Sequence, residues 1–191
     1  ICSLATVDLT KRPRISSGFT EFDRVLGGGI VSGSVVLIGG NPGAGKSTLL
    51  LQTVGRLCLN HKVLYVTGEE SLQQVALRAN RLKIQANNIR IAAETSIDTI
   101  CEMASKERPE VLIVDSIQVM HVTGIESAPG SVSQVREGAA ALTQFAKRTG
   151  IAVFMVGHVT KDGTLAGPKI LEHCVDCSVI LEAGTDMRYR T

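Results

Sequence analysis

The chain predicts an α/β fold, a mostly parallel sheet with helices on both faces. Three observations lead there. Short apolar runs such as Val35-Val36-Leu37-Ile38 and Val111-Leu112-Ile113-Val114 lack the alternation of a half-solvated strand, so they belong in a sheet covered on both sides. These runs alternate with segments that open on helix-capping residues. The stretch Gly40-Asn41-Pro42-Gly43-Ala44-Gly45-Lys46-Ser47 fits the phosphate-binding pattern G-x-x-x-x-G-K-[ST], with a strand before it and a helix opening at Thr48-Leu49-Leu50-Leu51-Gln52 after it. Its glycines let the backbone turn tightly with its N–H groups facing an anion, and the helix N-terminus adds partial positive charge. Gly40 through Thr48 is thus the expected nucleotide cradle. Lys46 reaches the outer phosphates and Ser47 ligates Mg²⁺, which makes ATP or ADP with Mg²⁺ the expected cofactors.

In chain order, residues 1–17 show no periodicity and read as an edge strand or linker. Thr20-Glu21-Phe22-Asp23 predicts a short helix capped by Thr20 and ended by Gly27-Gly28-Gly29. After the phosphate loop, Val63–Val66 is a strand, and Ser71-Leu72-Gln73-Gln74 is a capping box opening a helix to about Lys83. Ile89–Ala92 is a strand, and Thr95 or Ser96 caps a helix to about Lys106. Val111–Val114 is a strand. Ser131-Val132-Ser133-Gln134 reads as a second capping box, opening a long helix that Gly150 stops. Ile151–Val156 and Ser178–Leu181 are the last strands. The loops Met120–Gly130 and Thr160–Pro168 leave carboxyl ends of strands, where ligands of open α/β sheets collect.

Composition narrows the function classes. The 191 residues suit one domain, and 44% are hydrophobic, enough for a core. A net charge of +2 leaves nucleic-acid contact to a local patch, and with two Tyr, four Phe and no Trp a base-stacking surface is not expected. No apolar run spans a bilayer and no secretory h-region opens the chain. Five cysteines, mostly within apolar runs, suit reduced thiols in a cytoplasm.

Several acids and one histidine complete the candidate site. Asp115 ends a buried strand, where an acid holds Mg²⁺ opposite Ser47; an N-cap is the alternative role. Glu69 and Glu70 follow another strand end and are placed to orient or deprotonate a water. Glu69, nearer the strand, is the preferred base and Glu70 the substitute. His158 ends the fifth strand, where it can face the terminal phosphate. His173, Cys174 and Cys177 supply only three ligands with no second pair near, and read better as entry into a buried strand than as a metal site.

Taken together these residues resemble the ATPase core of the RecA/DnaB superfamily and, within it, the RadA (Sms) family of bacterial DNA repair proteins. The resemblance runs from about Arg14 to Leu181. It is carried by Arg14-Ile15-Ser16-Ser17-Gly18 with Glu21-Phe22-Asp23-Arg24-Val25-Leu26-Gly27-Gly28-Gly29, by Tyr65-Val66-Thr67-Gly68-Glu69-Glu70-Ser71, by Val114-Asp115-Ser116-Ile117-Gln118, by Val156 to Gly163, and by Ala166-Gly167-Pro168-Lys169. The resemblance implies a RecA-like domain over 1–191 and a hexameric ring-forming, DNA-dependent ATPase that moves on single-stranded DNA and extends branches at recombination intermediates beside a RecA-type recombinase. It implies that Glu69 is the catalytic glutamate and His158 the γ-phosphate sensor. The loops after Met120 and His158 become DNA-facing, with Lys161, Lys169 and, less directly, Arg136 on the phosphate backbone. The family's four-cysteine zinc module, its Lys-Asn-Arg-Phe-Gly motif and its protease-like domain lie outside these residues, so the chain is expected to be an excised core. A regulatory ATPase of the circadian-clock type, with protein partners, is the competing reading; a nucleotide-binding module without hydrolysis is the third.

Overall fold

The structure is a computed structural model that describes residues 13–85, 89–158 and 171–182. Among them the elements run α1 (Thr20–Val25), β1 (Val35–Gly40), α2 (Lys46–Leu57), β2 (Val63–Thr67), α3 (Leu72–Arg81), β3 (Arg90–Ala93), α4 (Ile97–Glu107), β4 (Val111–Asp115), a 3₁₀ turn (Ile117–Val119), α5 (Val132–Thr149), β5 (Ala152–His158) and β6 (Cys177–Leu181). The six strands form one sheet in the order β3-β2-β4-β5-β1-β6, and every pairing is parallel.

The central strands are buried along their whole length because helices cover both faces. Side chains alternate across a strand. Leu37, Val66, Val114 and Met155 therefore face α4 and α5, while Ile38, Tyr65, Ile113 and Phe154 face α1, α2 and α3. Cys174 packs with the first of these clusters and Cys177 with the second, on opposite sides of the sheet. No helix among the described residues is long and apolar enough to cross a membrane.

Two local expectations are corrected, and a third lies mostly outside the described residues. Thr20 is not the cap of α1: Phe19 holds that position without a side-chain bond. The acceptor role passes to Asp23, which takes hydrogen bonds from Ser17 N at 2.7 Å and Ser16 Oγ at 2.5 Å. These bonds hold its carboxyl below the usual range against the opposing effect of burial. Of the segment read as an edge strand or linker, residues 1–12 lie outside the described part, and the described remainder makes an antiparallel bridge from Ile15 to Ile30. The box at Ser131 forms only half. Ser131 accepts from Gln134 N, but the Gln134 side chain is buried and turned to the preceding loop. There it accepts from Val122 N at 2.9 Å and donates to Ile125 O at 3.1 Å and Ser127 O at 2.9 Å. With Thr123 N donating to Asp98 at 3.0 Å, side chains fasten the loop of residues 120–130 at four points, beside the backbone bonds of His121 to Thr95 and Ile97. By contrast the box at Ser71 is complete, and Ser96 rather than Thr95 caps α4.

Candidate functional site

Strand order decides which residues can meet. The strands β2, β4, β5 and β1 lie side by side: β2 and β4 end opposite each other, Thr67 with Asp115, β1 and β5 likewise, Gly40 with His158, and β5 runs past the end of β4. Glu69 stands two residues past Thr67, and the phosphate loop begins at Gly40. Four segments far apart in the chain thus end along one edge of the sheet.

The loop leaving β1 depends on two glycines. Gly40 has φ +147°, and a Cβ there would lie 2.5 Å from Leu181 O of β6, too close to the backbone for any side chain. Gly45 takes φ 98° at the N-cap of α2, a left-handed conformation that side chains rarely adopt. A glycine cap has no side chain to satisfy the first amides of a helix. The other long helices do it differently: Ser71, Ser96 and Ser131 each close theirs. An uncapped helix start with a lysine as its first residue is a donor set suited to phosphate.

Lys46 is only 3% exposed and donates to Gly40 O at 2.7 Å and Asn41 O at 3.0 Å, so its ammonium is held over the loop. Burial lowers its pKa, and the nearby Asp115 and Glu69 carboxylates oppose that. The three charges therefore share one neighbourhood. Ser47 is next in the helix. Asp115 is 5% exposed and accepts from Tyr65 Oη at 2.5 Å. Burial and the Asp115 charge drive the phenol pKa up, so Tyr65 stays a donor and fixes the carboxylate. Asp115 is thus not a helix cap; its following peptide, to Ser116, is cis.

The two adjacent glutamates separate. Glu69 Oε1 accepts from Ser116 Oγ and from His158 Nε2, the latter at 3.1 Å. The His158 bond first, and the Ser116 bond with it, hold the Glu69 carboxyl below the usual glutamate range despite partial burial. Glu70 instead pairs with Arg78 of α3, and its backbone N–H donates to Thr67 Oγ1 at 3.0 Å. Arg136 is exposed on α5 and lies 3.4 Å from Glu137. Lys161 and Lys169 lie outside the described residues.

Tyr65, Ser116, Gln118 and Arg78 support the site, and sequence reading gave none of them a role. The signal for Ser116 was available, a hydroxyl directly after the acid that ends a strand. Nothing local marks Tyr65, which sits mid-strand among apolar residues.

With this geometry in place, comparison with known proteins gives a consistent answer. A family described as AAA domain matches residues 8–164. The chain belongs to that family. This AAA domain is also similar to the DNA repair protein RadA of Escherichia coli (strain K12), 62% identical over 98% of this chain and 41% of that protein. It is similar to the same-named protein of Haemophilus influenzae, 60% identical over 100% of this chain and 42% of that protein, and to that of Bacillus subtilis (strain 168), 47% identical over 98% and 41%. The domain thus spans about two-fifths of the length of these relatives. The resemblance read from the motifs and the α/β parallel-sheet fold both stand, and the chain is a P-loop ATPase domain by family.

Proposed function

We propose that these residues form a single ATPase domain, the motor of a DNA-dependent ATPase that acts in the cytoplasm in DNA repair and recombination. In this reading it binds single-stranded DNA and drives branch migration of recombination intermediates as part of a homo-oligomeric, hexameric ring working beside a RecA-type recombinase. One observation carries the reading. Lys46, Asp115, Glu69 and His158 converge at adjoining strand tips in a chain similar along nearly its whole length to proteins named DNA repair protein RadA.

The donor set fits Mg²⁺ and ATP or ADP. The amides of residues 40–48 and Lys46 would hold the phosphates, and Ser47 and Asp115 the ion, Asp115 being kept in place by Tyr65. Once bound, Mg²⁺-ATP supplies an electrophilic terminal phosphoryl group. Glu69 is the general base for water, since it is ionised and at the strand tip, whereas Glu70 is engaged by Arg78. His158 reports the state of the site to the segment that follows it. Residues 120–130 include no Lys or Arg. Phosphate-backbone contact therefore falls to Lys161, Lys169 and the exposed Arg136.

The test is ATP turnover by the full-length protein with and without single-stranded DNA, with the oligomer measured alongside. DNA is expected to change turnover or nucleotide affinity, and the effect to fall steeply as salt rises. No response to DNA at low salt would move the assignment to a regulatory ATPase with protein partners.

A further inference from the structure

The residues around Glu69 close a loop of contacts. Ser116 Oγ and His158 Nε2 both donate to the same oxygen, Glu69 Oε1. Gln118, two residues beyond Ser116, donates its side-chain amide to the main-chain carbonyl of His158 at 3.3 Å. The ring therefore runs from Ser116 to Glu69, to His158, to Gln118 and back along the turn that leaves β4. It joins the tips of β2, β4 and β5.

Two features of the ring set it apart from an ordinary core network. First, Gln118 Oε1 and His158 Nδ1 are buried without a partner among the described residues. Buried polar atoms are nearly always paired, so two orphans on residues already bonded to each other describe an arrangement that is complete only in another state. Gln118 matches either form of the ring: its amide can donate to a bare Nδ1, and its oxygen can accept from a protonated one. Second, both donors fall on one oxygen of Glu69, so the carboxylate is held in one orientation although its other oxygen can still accept. To turn out of that orientation it must give up one of them. His158 can leave, since its imidazole has a competing acceptor wherever a terminal phosphate lies. Ser116 is fully buried and follows the strand end directly.

We propose that Ser116 and Gln118 are positioning residues that lock Glu69 onto His158 in the nucleotide-free chain, and that a nucleoside triphosphate, unlike a diphosphate, must open this lock. The inference rests on the nucleotide reading given above and adds to it a reason for the two nucleotides to be distinguished. The lock holds the base in this orientation until a terminal phosphate draws His158 away.

The experiment compares the affinities of the full-length protein for ADP and for the non-hydrolysable AMP-PNP, each with Mg²⁺, by fluorescence titration. Ser116→Ala removes one donor from Glu69 and loosens the lock. AMP-PNP affinity is expected to rise about tenfold, the scale of one hydrogen bond to a carboxylate, with ADP affinity within about twofold of wild type. Gln118→Met keeps the shape without the bonds and is expected to move the ratio in the same direction, about threefold. A purely structural role would weaken both nucleotides together. An unchanged ratio, or equal loss for both nucleotides, in either variant overturns the lock while leaving the nucleotide site standing. If Ser116→Ala fails to fold, as judged by its thermal melt, Gln118→Met decides alone. Failure of the wild-type protein to bind ADP would instead remove the nucleotide reading, and the lock with it.

Discussion

Glu69 and Glu70 are neighbours with the same chemistry, yet they belong to two different regions of the molecule. Glu69 is turned along the strand tips toward His158 and Ser116, while Glu70 is turned back onto α3 and Arg78. One carboxylate is held by groups that can be exchanged for a ligand. The other is held by a guanidinium on its own following helix, eight residues on, where the contact stabilises the start of α3. The difference teaches that a pair of acids at a strand end need not be a pair of bases. What each does follows from its partner, and adjacency in the chain puts them on opposite sides of the turn.

The largest expected effect tests this division directly. Glu69→Gln in the full-length protein is expected to lower kcat by about 10²- to 10⁴-fold, the range for loss of a general base, with ADP affinity kept. Glu70→Gln should leave kcat within about threefold. Rapid-quench and steady-state turnover measure both, and the reverse pattern would exchange the two roles. Next in size, Arg78→Ala leaves the Glu70 carboxylate, partly buried, without its partner. A loss of about 2 kcal/mol in urea unfolding is expected, between the values for exposed and buried pairs, with less loss in Glu70→Gln. Smaller again, Ser71→Ala removes the cap of α3 and should cost about 1 kcal/mol without altering turnover. A change in kcat there would mean that the α3 side is not merely structural.

The last prediction concerns pH. The folded-state pKa of Glu69 is depressed, so its ionised form stabilises the fold above the ordinary glutamate range. That contribution is lost as pH falls through the lowered folded value. The stability gap between wild type and Glu69→Gln, read from urea midpoints, should be constant from pH 7 to 6 and shrink below pH 4.5, the ordinary value. A gap that widened on acidification would place the carboxyl in an environment that favours its neutral form.

Much of this was legible in the residues because it rests on local spacing. The phosphate loop needs its glycines, its lysine and a strand and helix at fixed offsets, all within about a dozen positions. The serine caps at 71, 96 and 131 are likewise signals read within one helical turn. Gln134 was misread for the same reason. Its spacing from Ser131 fits a reciprocal box, but the loop of residues 120–130 offers its side chain three backbone partners, and burial makes those worth more than the cap. Thr20 lost its expected role to Asp23 in a comparable competition between nearby acceptors.

By itself the sequence determined the parallel α/β architecture, the glycine-rich turn into a helix at Gly40–Thr48 and an acid at the strand end at Asp115, because apolar periodicity and short-range backbone geometry are written in consecutive residues. Only the tertiary structure gave Glu69 and Glu70 their separate partners, bonded Tyr65 to Asp115 and joined Ser116, Glu69, His158 and Gln118 in one ring. The bonded partners in that ring lie 40 to 89 positions apart in the chain, and they meet because β2, β4 and β5 are neighbours in a sheet whose order differs from that of the sequence.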